Sequence, residues 1–330
     1  MPEIDNLFPS FPACQPKFPP VVDSGSVRNR SRNPGLSRLR RLLAFPSLRS
    51  ERRPAFSPGE GEILFELTGR NPENLFLGRF SEERIGRELS RSGILEHLAA
   101  RGYPDPLLRL ECSDPADQRL LLFADRPSRE RLLMEARVEA RLFRPKRPIG
   151  PFTEHSSFRM LVIHWLCLSD PDRTFSPTRP RLPGQERPGL GMLSRALSLL
   201  SRLASPLEFD GVLDLPDHYH TARIYSRAFR FLDPEAEGRM RAIARDLEGA
   251  PLSLVSEAIA MGCLVDRATG DPVFWVPSEQ VLGLKDPLRR YLRSPGYARE
   301  RDLAARSLRV VVDWDRYRNR LRSGAPEKSP

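Results

Sequence analysis

The chain has 330 residues, of which 39% are hydrophobic, enough for one large domain or two small ones. The formal net charge of +10 predicts an acidic partner, such as nucleic acid, a phosphorylated cofactor or a carrier protein, unless an Arg-rich solvated surface accounts for the excess. The four cysteines form no Cys-x-x-Cys pair, which argues against a disulfide framework and a structural zinc site. The longest apolar run, residues 160–168, is shorter than the roughly 20 residues of a spanning helix.

The amino-terminal segment predicts a leader rather than a folded unit. Residues 1–60 are rich in Pro, Ser and Arg, and Pro is excluded from helix interiors and central strands. We therefore expect a disordered basic leader over 1–60. Glu3 and Asp5 precede no apolar export segment, so we expect a cytoplasmic protein with no membrane span.

Strand patterns dominate residues 62–142. A short strand is predicted at 62–67, and Ser81 caps a helix that Gly102 ends. Strands follow at 107–112 and 119–124, and the next segment alternates between apolar and charged residues, as a half-buried strand does. The apolar set of that strand comprises Leu132, Met134, Ala136, Val138, Ala140 and Leu142.

A central strand, a glycine-rich loop and a helix form the next unit. Residues 160–168 are apolar on both sides, as a strand covered on both faces would be. The loop ends in Gly189 and Gly191, and a helix with an apolar stripe begins at Leu193. The remaining elements are predicted in chain order as strand 211–215, helix 219–229, strand 229–231, helix 234–247, a hairpin joining 262–265 to 273–276, and helix 288–292.

This order predicts an α/β (α+β) fold with a mixed, mostly antiparallel central sheet flanked by helices. We expect the main domain to span residues 61–250. A C-terminal extension over 251–317, containing the hairpin and a helix, is expected to pack on that core, and a flexible tail to occupy 318–330.

The glycine-rich loop is the candidate phosphate site. A helix N-terminus offers unpaired N–H groups and a partial positive charge, and Gly189 and Gly191 would let a diphosphate approach the backbone. Arg179, Arg181 and Arg187 would add a mobile positive rim. A tight turn without any ligand is the alternative interpretation of the same two glycines.

The segment from the loop onward resembles the coenzyme-binding half of the GCN5-related N-acetyltransferase (GNAT) family. The resemblance rests on Gln185 to Gly191, the following helix and strand, and a second helix that carries His220 to Tyr225 and leads to Phe231. The family's loop pattern is Gln/Arg-x-x-Gly-x-Gly/Ala, and Glu186 occupies the first position of that pattern here. Arg230 replaces the glycine of the family's closing Gly-Phe.

The resemblance implies a GNAT-like acyl-CoA N-acyltransferase. It implies that acyl-CoA is the co-substrate, that an amine is the acceptor, and that no metal is needed. The implied coenzyme-binding residues are Gln185, Arg187, Gly189, Leu190, Gly191 and His220. Tyr225 matches the tyrosine that protonates the departing thiolate in many members. The general base stays open: His164 is the candidate, Glu135 and Glu139 share one strand face whose alternation with Arg favours a solvated surface, and some family members use water. An acidic acyl carrier protein is an alternative donor.

Two other functions fit the sequence. The scaffold could be a non-catalytic ligand-binding or nucleic-acid-binding protein whose Arg-rich leader contacts the nucleic acid. Asp217, His218 and His220 could instead hold a zinc or iron ion, with Asp214 nearby and His155 or His164 completing the site.

Overall fold

The computed structural model describes residues 75–323, so the predicted leader 1–60 and strand 62–67 lie outside the described residues. A seven-stranded sheet consists of β1 (Leu107–Glu111), β2 (Gln118–Phe123), β3 (Leu132–Phe143), β4 (Phe158–Leu168), β5 (Gly211–Asp214), β6 (Arg230–Phe231) and β8 (Gln280–Gly283). Its strands lie in the order β1-β2-β3-β4-β5-β8-β6. Strands β4 and β5 run parallel and the other neighbours run antiparallel.

Helices flank this sheet, and two further short strands pair away from it. The two-stranded sheet consists of β7 (Leu264–Asp266) and β9 (Val310–Val312). The helices are α1 (Glu82–Arg91), α2 (Ile94–Ala99), α3 (Leu193–Ala204), α4 (Tyr219–Tyr225), α5 (Pro234–Asp246), α6 (Leu252–Ala260), α7 (Leu288–Leu292), α8 (Pro295–Ser307) and α9 (Trp314–Ser323). The predicted class, a mostly antiparallel mixed sheet flanked by helices, is confirmed.

The alternation of β3 is confirmed only for its middle part, since Leu133 of the predicted solvent-facing set is fully buried beside a register shift with β2. Met134, Ala136 and Val138 are fully buried, because α1, α2 and α3 cover that face. Ala140 is exposed and Leu142 is 58% exposed, since β3 extends beyond the covering helices. Sequence period therefore identified the face correctly but could not show where the cover ends.

The two faces of the central strands bury different clusters. Val212 of β5 packs with α3 and Tyr225 in one cluster, whereas Leu213 packs with α7 and α8 in another. The same alternation places the side chain of Asp214 on the face of the sheet that carries Val212.

The C-terminal part of the chain differs from the prediction. Strand β8 lies between β5 and β6, so the predicted extension 251–317 contributes a strand to the central sheet itself. The predicted strand at 273–276 is not formed, since β7 pairs with β9 and retains only a single bridge from Val265 to Pro272. Helix α9 covers residues 318–323 of the predicted tail, because buried Tyr317 anchors it by donating to Glu257.

Two helical glycines should respond oppositely to substitution by alanine. At Gly238 of α5 a Cβ would lie 2.5 Å from the Arg301 carbonyl oxygen in α8, so Gly238→Ala should destabilise the protein by about 1–3 kcal/mol through overpacking. At Gly86 of α1 nothing lies within 4 Å, so Gly86→Ala should stabilise it by about 0.5–1 kcal/mol. Urea unfolding measures both, and an equal effect at the two sites would contradict the close α5–α8 crossing.

Candidate functional site

The pairing between the parallel strands stops before β4 does. Register partners run from Met160 with Gly211 to Ile163 with Asp214, where β5 ends. Strand β4 continues to Leu168, held on its other side by β3. Among residues 75–323, no strand pairs with residues 164–167 on the β5 side. We call this stretch of β4 backbone, residues 164–167, the β4 gap.

The glycine turn closes the far end of the β4 gap. Leu190 donates its N–H to the Leu168 carbonyl at 3.2 Å, and Asp170 donates to the Pro188 carbonyl at 2.8 Å. Leu190 is fully buried, so its amide cannot join a phosphate cradle as predicted. Gly191 is exposed with φ of 72°, a left-handed value that favours glycine, and α3 begins two residues later.

Helix α2 and its C-terminal end support this turn. His97 hydrogen-bonds the Leu190 carbonyl through Nε2 at 2.9 Å. Buried Asp170 accepts from the Tyr103 hydroxyl at 2.7 Å and from Arg101 at 3.2 Å. The Arg101 guanidinium lies 3.6 Å from the position of a Cβ on Gly191, so one cation stands beside the start of α3.

The other predicted loop residues hold the loop's own structure. The Gln185 carbonyl oxygen accepts from Arg181 Nε at 2.6 Å, and Gln185 Oε1 accepts from the Leu182 N–H at 3.2 Å. Arg187 donates to the Glu130 carbonyl. The predicted mobile positive rim is therefore wrong for Arg181 and Arg187, because both guanidinium groups are anchored to backbone carbonyls.

Beside the β4 gap, the last residue of β5 is a buried carboxyl. Asp214 is 8% exposed, and its Oδ2 has no hydrogen-bond partner within residues 75–323. Burial, followed by the charge of Asp217, raises the pKa of Asp214 to about 7. A carboxyl with this pKa is divided between acid and base forms near neutral pH, as a general base requires.

Gln280 lies directly across from Asp214 in the sheet. The two are register partners, so their side chains point to the same face. Gln280 is completely buried and donates through Nε2 to the Ala222 carbonyl in α4 at 3.1 Å. Its Oε1 also has no donor within the part of the chain that the structure describes.

Tyr225 lies under the same face. It belongs to the cluster around Val212, and it is 5% exposed. Burial and then the charge of Asp214 raise the pKa of Tyr225 well above its usual range, so the hydroxyl stays protonated. The structure thus brings Tyr225 close to Asp214, a pair that the sequence did not join.

His164 lies on the opposite face. It is the extra residue where the β3–β4 register shifts, and Nε2 contacts Glu139 Oε2 at 3.0 Å. Bulges often occur next to functional sites. Because Glu139 pairs with Val162, whose side chain belongs to the other cluster, His164 and Tyr225 do not form one catalytic pair.

His220 is buried in α4 rather than open to a ligand. Burial and then His218 lower its pKa to about 4, and Nδ1 has no partner among the described residues. The His218 and His220 rings stack with centroids 5.2 Å apart. Over residues 75–323, no group of three or more His, Cys, Asp or Glu residues is arranged to hold a metal ion.

Two surface cavities lie elsewhere. One, of about 270 Å³, lies between residues 181–184 and α6. The other, of about 740 Å³, is lined by Lys285, Arg289, Arg290, Arg293 and Asp286, among other residues. It adjoins the end of β8 that pairs with Gly211, far along β5 from Asp214.

Sequence reasoning missed Gln280 and gave Asp214 only a minor place as a metal ligand. The available signal was a single acidic residue ending an otherwise apolar strand, since charged residues are rarely buried without a partner. For Gln280 the sequence offered no such signal, because its register partner Asp214 lies 66 positions earlier in the chain.

The raised pKa of Asp214 predicts a pH-dependent stability. Between about pH 4 and pH 7 the unfolded chain has lost this proton while the folded chain keeps it, so the contribution of Asp214 to the free energy of unfolding falls as the pH rises, with a slope of up to about 1.4 kcal/mol per pH unit. The lowered pKa of His220 contributes a slope of opposite sign, so the Asp214 slope is the difference between wild type and variant. Asp214→Asn should remove this slope, whereas Asp217→Asn at an exposed position should keep most of it. Urea unfolding from pH 4.5 to 7.5 tests this, and parallel curves for wild type and Asp214→Asn would contradict it.

No family model matches the chain, and the search of curated proteins gives no match. Within residues 75–323, no helix is long and apolar enough to cross a membrane. Any function must therefore be argued from the site around the β4 gap.

Proposed function

We propose that this protein is an N-acyltransferase with a GNAT-like fold, moving an acyl group from acyl-CoA to an amine. The observation that carries the proposal is the β4 gap, with Asp214 of β5 at one end and the glycine turn that leads into α3 at the other. Unpaired backbone of β4, a helix N-terminus and a carboxyl suited to proton transfer therefore belong to one stretch of the sheet, and Tyr225 lies near that carboxyl.

The β4 gap suits the amide-containing arm of coenzyme A. Residues 164–167 present backbone groups on the β5 side, as an edge strand does, and an extended ligand with amides can pair with them as a strand would. The diphosphate would then lie at the first turn of α3, whose N–H groups have no partner within the helix. Gly191 allows close approach and Arg101 supplies a nearby charge.

Sheet topology also supports the proposal. In the family that the sequence resembles, the coenzyme loop follows the fourth strand and leads through a helix into the next strand. Here β4, the glycine turn, α3 and β5 follow in that order, and β4 and β5 are the parallel pair.

The base role rests on the proton affinity of Asp214, whereas the acid role of Tyr225 is what the family resemblance implies. Asp214 takes a proton from the acceptor ammonium, and the resulting amine attacks the thioester carbonyl. A carbon–nitrogen bond forms, the carbon–sulfur bond breaks, and Tyr225 protonates the departing thiolate. The amide nitrogen releases a second proton to solvent, and Tyr225 regains its own.

His164 and the basic cavity do not take part in the proton transfers described above. His164 faces Glu139 across the sheet, so we assign the base role to Asp214 instead. The cavity with Lys285, Arg289, Arg290 and Arg293 suits an acidic surface, which keeps an acyl carrier protein as an alternative donor.

Gly189 offers a direct test of donor binding. A Cβ there would meet only the Leu168 carbonyl oxygen at 3.5 Å, an ordinary contact, so side chains are tolerated. Gly189→Asp should weaken acetyl-CoA and palmitoyl-CoA binding at least about tenfold by repelling the diphosphate, while the neutral isostere Gly189→Asn should retain more of it. Calorimetric titration measures both. Failure of the wild type to bind any CoA ester would end the proposal.

Catalysis by Asp214 predicts the pH profile. The rate of CoA release from acetyl-CoA in the presence of primary amines should rise with pH through about 7, as the carboxyl loses its proton. Asp214→Asn should lower this rate by about 10²–10⁴-fold. His164→Asn should leave the profile in place, and loss of the pH step in that variant alone would assign the base to His164.

A further inference from the structure

We infer that Asp214 and Gln280 together form the binding site for the acceptor's primary amino group. The inference rests on the proposed function and deepens it, because it specifies which amines the site accepts. It adds Gln280, and a selectivity among amines, to the base role proposed for Asp214.

The sheet register makes Asp214 and Gln280 direct cross-strand neighbours. Asp214 and Gln280 are directly opposed on antiparallel strands and share the face that α4 covers. Their positions are held independently: Asp214 is also paired with Ile163 on β4, and the Gln280 side-chain amide is anchored to the Ala222 carbonyl. The Gln280 amide therefore cannot turn round without losing that bond, and Oε1 stays directed away from the helix carbonyl.

Both oxygens lack a donor in the part of the chain that the structure describes. Asp214 is 8% exposed and Gln280 is fully buried, so bulk water does not supply the missing bonds. A buried acceptor without a donor is costly, and such atoms in native proteins call for an explanation. A ligand that brings donors to both oxygens would remove this cost.

The chemistry of the pair selects the ligand. A carboxylate, an ester or an unprotonated tertiary amine brings no donor, and a hydroxyl brings one. A primary ammonium brings three N–H donors and a positive charge that favours the ionised form of Asp214. After Asp214 takes one proton, the amine keeps an N–H for Gln280 and directs its lone pair elsewhere.

The number of N–H donors distinguishes a primary amine from related groups. The pair adjoins helix α4, because Gln280 donates to the Ala222 carbonyl and the charge of Asp214 acts on Tyr225, and Asp214 is the register partner of Ile163 in the sheet. N-methyl groups would replace donors with carbon next to the unsatisfied oxygens. The site should therefore distinguish a primary amine from its methylated form and from the matching alcohol.

Three small probes separate these cases. Ethanolamine carries a primary ammonium, choline carries the same chain with no N–H donor, and ethylene glycol carries only hydroxyls. Thermal unfolding and calorimetry on the full chain at pH 7.5, with each probe alone, should show ethanolamine binding about 10- to 100-fold more tightly than either analogue.

Matched variants link this selectivity to the pair. Asp214→Asn and Gln280→Met should each reduce ethanolamine affinity to the level of the analogues, while Asp217→Asn, an exposed carboxylate nearby, should not. Acetyl-CoA binding should persist in Gln280→Met, because that residue does not border the glycine turn.

The outcomes separate the inference from the proposed function. Equal binding of the three probes, or ethanolamine selectivity that survives both Asp214→Asn and Gln280→Met, overturns the inference whether or not CoA esters bind. Selective ethanolamine binding in a wild-type protein that binds no CoA ester supports the amine site and removes the transferase.

Discussion

The early end of the β4–β5 pairing is the feature on which the proposed function depends. The two strands are paired up to Ile163 and Asp214, and beyond that point residues 164–167 of β4 have no strand partner on the β5 side within residues 75–323. The glycine turn meets β4 again at Leu168, so the opening is bounded at both ends rather than being a free edge. An extended ligand is the kind of molecule that such an opening fits.

The face above this opening concentrates the unusual chemistry. Asp214 and Gln280, which are register partners, account for two of the five buried side-chain atoms that lack a partner within residues 75–323. Elsewhere buried charges are well satisfied: Glu237 accepts from Arg241 and from the Phe231 N–H. Unsatisfied polar groups grouped at one place indicate a functional site more than a general weakness of packing.

Sequence patterns located the elements but not the pairings. The period of β3, the apolar run of β4 and the stripe of α3 each came from local spacing, which depends on backbone geometry that every strand or helix shares. The glycines were visible too, yet whether Leu190 kept a free amide depended on Leu168, a contact between segments that no local pattern encodes.

What the sequence alone determined is the class of fold, a mostly antiparallel sheet with helices, and the place of the glycine turn before α3. Tertiary structure alone decided that β8 enters the sheet beside β5 and so sets Gln280 against Asp214. It also put His164 and Tyr225 on opposite faces. The physical reason is that side-chain alternation specifies a face within one strand, whereas neighbours across a sheet depend on long-range packing and burial.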